Sequence, residues 1–310
     1  SLGIATIPAG GYYLTVEPSG DYIYFNNDNN TMVFTPNNGR TVVAKYDDQN
    51  NFLWAKSFGY SPANYGGFYC WPTASVTDED GNLYLTGTHG DSAMFDNIIL
   101  STPYNRYSPY TAKIDPNGNA LWANSIQIRQ WGNNYCEAAI DNNGNFYCMG
   151  DLRDTMNVGD WEIVPSGSRS MYLVRYNNYG EAAWVKTIDG SFSANHLLGM
   201  AVYEPDNLFV GGGFTKNILV GGQDLFTASS SAGLMVHVGD SIYYNKIVEK
   251  DIDALFLRIF PNTAADMVYL EFKSPMANVD VKITDLCGRV IKRLNLQYPS
   301  ACFPLDLTGF

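Results

Sequence analysis

Short apolar runs separated by Asx/Gly clusters recur along most of the chain. One recurring pair spans Leu14 to Phe25, Ala74 to Gly87, Ala138 to Gly150 and Met200 to Gly212. In each, an apolar run meets a cluster rich in Asp, Asn, Gly or Pro and a second apolar run follows, the pattern of two strands joined by a tight turn. Ile23, Tyr84, Tyr147 and Phe209 take equivalent places in this alignment. A second pair spans Val43 to Phe58, Thr111 to Ile126 and Leu173 to Ile188, each with one tryptophan: Trp54, Trp122 and Trp184. A degenerate fourth copy, Met235 to Val248, puts Tyr244 in the tryptophan's place.

The two pairs alternate and return about every sixty residues, a period of repeat architectures. Each unit therefore carries four short strands, A to D, which is the content of a propeller blade. Four blades are expected, over about 11–58, 72–126, 134–188 and 197–249. A blade cannot cover both its faces alone, so neighbours must stack, with the repeated Trp or Tyr of strand D as the largest apolar contact between them. After Lys250 the period breaks. Val279, Val281 and Ile283 alternate with polar residues, Asp285 to Gly288 makes a turn, and Arg289 to Leu294 returns as a partner strand. The fold class expected is all-β: a β-propeller-like array of about four four-stranded blades over 1–250, then a small immunoglobulin-like β-sandwich over 251–310.

Two resemblances follow. The units resemble a secreted bacterial propeller-repeat family marked by D-x-x-G-N-x-Y-x-x-G and a later K-Y with W-A-K, over roughly residues 11 to 250. That implies a fold and export, not an activity. The C-terminal segment resembles a type IX secretion C-terminal sorting domain on Pro261 and Asn262, then Val281, Ile283, Asp285, Gly288, Arg289 and Val290, then Asp306, Leu307 and Gly309. Thr263 stands where that family commonly has a second Pro. The chain stops at Phe310, before the family's final Gly-x-Tyr strand, so the domain is expected to be truncated. The resemblance implies a secreted or cell-surface protein of a gram-negative bacterium that passes the periplasm and engages the outer-membrane type IX apparatus.

Composition agrees with β structure: 22 Tyr, 16 Phe, 6 Trp and 29 Gly against 16% charged residues. The net charge of -12 sets the long-range field against phosphate backbones, so nucleic acid is not an expected partner. No apolar run reaches the roughly 18 residues of a membrane-spanning helix. The opening residues lack the regions of a signal peptide, and Ser1 in place of an initiating Met reads as a processed start. The five cysteines are an odd number. Cys136 and Cys148 flank the turn from Asp141 to Asn145 and read as buried thiols, with a cross-strand bridge as the alternative.

An A-B-C-D meander puts the A–B and C–D turns at one end of the array and the long B–C and D-to-A connections at the other. The long-loop end carries Tyr60, Tyr65, Tyr69, Trp71, Arg129, Trp131, Tyr135, Phe192 and His196, mixed with asparagines. Aromatic rings among amides stack on sugars or grip peptides, and these residues are the candidate ligand-binding set. The competing reading is that they fold back to seal the joints between blades. Asp78, Asp80 and Asn82 begin like a calcium loop but lack its later Glu, and read with Asp141 and Asp115 as turn formers. No metal site and no cofactor is expected. The three histidines, His89, His196 and His237, have no ligand spacing, and no hydrolase or nucleotide motif is present. Loop carboxylates such as Asp91, Asp96, Glu137, Asp151 and Asp154 are the material for a glycan-active enzyme, the alternative to a non-catalytic binding protein or a structural spacer.

Overall fold

The structure, a computed structural model, describes residues 2–18, 22–27, 30–34, 41–59, 70–102, 107–128, 136–166, 169–220, 223–226, 232–239, 242–246, 257–260, 267–272, 278–284, 290–297 and 302–306. Every regular element among them is a β-strand. The first unit contains β1 (Leu2–Thr6), β2 (Tyr12–Val16), the hairpin β3 (Ile23–Asn27) and β4 (Asn30–Phe34), β5 (Thr41–Tyr46) and β6 (Phe52–Phe58). Its sheet runs β1-β2-β5-β6, an antiparallel meander, with the hairpin set between the second and third strands.

This corrects the strand assignment in the first unit. Strand A is β1 and strand B is Tyr12–Val16, whereas Ile23 opens the inserted hairpin. The β1–β2 turn is closed by Ile7 N–H on the Gly11 carbonyl (3.0 Å) and Gly10 N–H on the Ile7 carbonyl (2.9 Å). Gly10 and Gly11 take φ of 110° and 86°, which side chains disfavour, so a glycine pair replaces the Asx turn used elsewhere. Tyr13, not Ile23, is the counterpart of Tyr84.

The second unit has β7 (Cys70–Thr77), β8 (Leu83–His89), the hairpin β9 (Ser92–Phe95) and β10 (Ile98–Ser101), β11 (Ser108–Ile114) and β12 (Ala120–Ser125), again a meander in sheet order. β13 (Gln127–Ile128) continues the exit of β12, and the third unit follows with β14 (Cys136–Ile140), β15 (Phe146–Leu152), the hairpin β16 (Met156–Val158) and β17 (Trp161–Ile163), β18 (Ser170–Tyr176) and β19 (Ala182–Glu204). β19 closes the third sheet with its first half and opens the fourth with its second, pairing next with β20 (Asn207–Val220). β21 (Gln223–Phe226), β22 (Ala232–Val238) and β23 (Ile242–Lys246) complete the fourth unit. The C-terminal strands are β24 (Leu257–Phe260), β25 (Met267–Phe272), β26 (Asn278–Thr284), β27 (Val290–Gln297) and β28 (Cys302–Asp306). They make a three-stranded sheet, β24-β25-β28, and the hairpin β26–β27 that the alternating pattern predicts.

The sheets pack face to face in chain order. Tyr13, Val43 and Phe58 of the first meet Leu83, Leu85 and Ala112 of the second. Val76, Tyr84 and Trp122 of the second meet Ile140, Phe146 and Val174 of the third. Met149, Leu173 and Ile188 of the third meet Val202, Val210 and Val236 of the fourth. Strand alternation makes this possible: successive residues of one strand serve opposite neighbours, so inner strands read as continuous apolar runs. The result is an all-β, propeller-like array of four-stranded blades.

Candidate functional site

The repeated residues form one row across each sheet. Register places Tyr13 beside Lys45 and Lys45 beside Trp54 in the first sheet; Tyr84, Lys113 and Trp122 form the row in the second, and Tyr147, Arg175 and Trp184 in the third. In the fourth the row is Phe209, His237 and Tyr243. The tryptophan's counterpart is therefore Tyr243, one residue before the Tyr244 expected. The first three sheets have a one-residue bulge at this point, and no register shift interrupts β22–β23.

Each row reaches the turns of the next unit. Trp54 Nε1 donates to the Pro116 carbonyl (3.1 Å), and Trp122 Nε1 to the Asn178 carbonyl (3.1 Å). Trp184 Nε1 donates to Asp206 Oδ1 (2.6 Å), where Arg175 also places a guanidinium nitrogen 2.5 Å from Oδ2. Lys45 Nζ donates to the Pro116 carbonyl (3.0 Å), Lys56 Nζ to the Gly118 carbonyl (2.8 Å) and Asn124 Nδ2 to the Gly180 carbonyl (2.7 Å). Lys45 and Lys113 also lie over the tyrosine rings of their rows, Lys113 Nζ 4.8 Å from the Tyr84 centroid. These indoles seal joints between blades, as the repeat reading required.

The Asx turns at this end are self-contained. In the run from Asp141 to Asn145, Asp141 Oδ1 accepts from Asn143 N–H and Asn145 N–H (both 2.9 Å), and Oδ2 accepts from Asn145 Nδ2 (2.7 Å) and Tyr147 Oη (2.9 Å). Asp115 repeats the local bonds with Asn117 and Asn119, and Asp78 with Asn82. The carboxylates thus shape the turn, with glycine at positive φ in its fourth place. Burial, then the nearby aspartates, holds the Tyr84 phenol far above its ordinary range.

The opposite end is built differently. From the second unit on, each unit grips the exit of the preceding unit's outer strand through the main chain. Gly59 N–H donates to the Met94 carbonyl (2.8 Å), Gln127 and Ile128 pair with Asn157 and Met156, and Asp189 and Gly190 pair with Leu219 and Ile218. Here the second sheet presents Trp71 against Tyr107, ring centroids 5.4 Å apart and planes 32° apart, both half-buried. Trp71 sits on β7, opposite Thr88 on β8, so its backbone is held by the sheet rather than by a loop.

Of the other sequence candidates, Tyr60, Tyr65, Tyr69, Arg129, Trp131 and Tyr135 lie outside the described residues. Phe192 and His196 fall within β19, Phe192 paired with Phe214. Tyr107 was not among the candidates. Its signal was the alternation Tyr107, Pro109, Thr111, which puts it on the Trp71 side of the sheet.

Two polar clusters flank this end. His89 Nδ1 lies 2.6 Å from the Gly90 carbonyl, which fixes the proton there; Nε2 then accepts from Ser125 Oγ at 2.7 Å. The connectivity is that of a base and a hydroxyl, but His89 is fully buried and burial drops its pKa to about 4. It ties the end of strand B to the end of strand D as a neutral strut. In the third sheet, Asp151 receives Arg169 Nε and Nη2 (both 2.8 Å) and Arg153 Nε (3.3 Å). Asp96 is held by Lys56 (2.5 Å) and Ala120 N–H (2.8 Å), and Asp154 caps Thr155 N–H (2.6 Å). Cys136 and Cys148 are free buried thiols, as is Cys70. Cys136 faces Gly150 and Cys148 faces Ala138, so they are diagonal. Cys136 lies 3.4 Å from Tyr172 Oη, and burial pushes its pKa up to about 12.

Comparison with known proteins bears on the two parts separately. Residues 258–308 match the secretion system C-terminal sorting domain. They include Pro261, Asn262, Asp285, Gly288, Arg289 and Asp306; of these only Asp306, the last residue of β28, is described, and Gly309 follows the match. The chain therefore carries a type IX sorting domain, the part that engages the secretion machinery, and is a secreted or cell-surface protein. No curated protein matches the chain. A crystal structure of a protein from Lactobacillus plantarum overlays with a TM-score of 0.43 at 11% sequence identity, over 98% of this chain and 87% of that one. Among the described residues no helix is long and apolar enough to cross a membrane.

Proposed function

We propose that this is a non-catalytic binding protein of the gram-negative cell surface, exported through the periplasm, that takes glycan or protein at the long-loop end of its blades. The observation that carries this reading is the Trp71–Tyr107 pair. Those rings are half-buried, Trp71 on β7 and Tyr107 just before β11, at the end of the array where, among the described residues, the repeated clasps do not occur. A rigid aromatic shelf offers stacking area with little side-chain entropy left to lose. Asp96, Asp151 and Asp154 are engaged by cations or backbone N–H groups, which favours binding over glycoside hydrolysis by two unpaired carboxyls.

A glycan array and a surface-protein pull-down with the whole chain test the proposal. Saturable binding that weakens at least about tenfold in Trp71→Ala, a loss of about 1.4 kcal/mol, supports it. Binding unchanged by Trp71→Ala, or no saturable binding to any probe, would instead make the blades a spacer.

A further inference from the structure

In the first three sheets, the face bearing the Tyr–Lys/Arg–Trp row is the face that receives the next sheet. The fourth sheet has the same two faces. Met200, Val210 and Val236 pair across the one turned to the third sheet. Ala201, Phe209 and His237 pair across the other, with Gly211 and Met235 beside them. Ala201 is only 2% exposed and Met235 6%, while Phe209 and His237 are half-buried, so the inner part of that outer face is covered.

The C-terminal region approaches this sheet through its first strand. β24 lies against β19 and β20, the inner strand of the fourth sheet and its partner. β7 meets β1 and β2 in the same way, and β14 meets β7 and β8. β24 also begins about sixty residues after the inner part of β19, in step with the repeat. Meanwhile the row facing it has changed chemistry: Phe, His and Tyr stand where the other sheets have Tyr, Lys or Arg, and Trp. The indoles and the long cations that reach the turns of the next sheet in the first three sheets are thus replaced in the fourth.

We infer that the outer face of the fourth sheet is the docking surface of the sorting domain, which enters through β24 in the place of a fifth sheet and caps the array. Stacked repeats need their last apolar face closed, and here the export domain closes it. The sorting domain and the blades then travel as one folded body, not as a signal on a tether.

A specific protease site placed within residues 247–256 of the full chain allows the backbone to be cut after folding. The cut halves are expected to co-elute on gel filtration at about 1 μM, which requires binding of roughly 8 kcal/mol or better. Ala201→Arg, which sets a charge on the docking face, is expected to release the C-terminal half from the cut protein while the blades keep their β-sheet circular dichroism. Separation of the cut wild-type halves, with the thermal midpoint of the blades unchanged, would overturn the inference. That outcome does not depend on whether the Ala201→Arg protein folds.

Discussion

The two ends of the blades obey different rules. At the turn end the second and third sheets are near copies: Tyr84 matches Tyr147, Lys113 matches Arg175, Trp122 matches Trp184, and Asp78 and Asp141 fold the same turn. At the long-loop end the same two sheets diverge. Where the second has His89 bonded to Ser125, the third has Leu152 in the core; where the third holds Asp151 between two arginines, the second has Thr88 opposite Trp71. Repetition marks what blades owe each other, and its loss marks where a blade is released from that duty.

Trp122→Ala should show the largest effect. It removes a nearly buried indole and orphans the Asn178 carbonyl, and a loss of about 3–5 kcal/mol is expected in urea unfolding. The pH dependence carried by His89 comes next. The unfolded imidazole binds its proton near 6.5 and the folded one only near 4. Between those values the unfolded chain holds more protons, so stability falls as pH falls through that window, by about 3 kcal/mol in all. His89→Gln should flatten that part of the profile, read as urea midpoints between pH 7 and 4. Gly180→Ala follows at about 2 kcal/mol: a Cβ there would come within 2.6 Å of the Trp122 ring, at a φ of 80°. Tyr107→Ala, at the divergent end, is expected to cost only about 1 kcal/mol, the order of one aromatic pair. A Tyr107→Ala loss as large as that of Trp122→Ala would erase the distinction between the ends.

The turn end was readable in the sequence because its chemistry is local and repeated. An Asp, a Gly in the fourth place and an Asn in the fifth close one turn, and an indole a few residues later marks strand D. The first unit misled for the same reason. Pro18 to Asp21 looks like the repeated turn, while the true one, at Gly10 and Gly11, has no Asx. The match of Tyr12-Tyr13-Leu14-Thr15-Val16 with Leu83-Tyr84-Leu85-Thr86-Gly87 carried the correct alignment. The inserted hairpins were hidden because β9 and β16 are short and their bonds run to the preceding unit, a contact no local pattern encodes. At the long-loop end, Trp71 was legible from residue type, but its partner Tyr107 is brought to it only by the pairing of β7, β8 and β11.

The indole and cation clasps all point one way, from an earlier unit to a later one. Such a stack has a head and a tail, like tiles whose tongue and groove lie on opposite edges. A copy of the second unit set beside the original would find a groove ahead of it and a tongue behind it. Between sheets whose joints are alike, the length of this protein's blade array is therefore a quantity that recombination can change in whole steps.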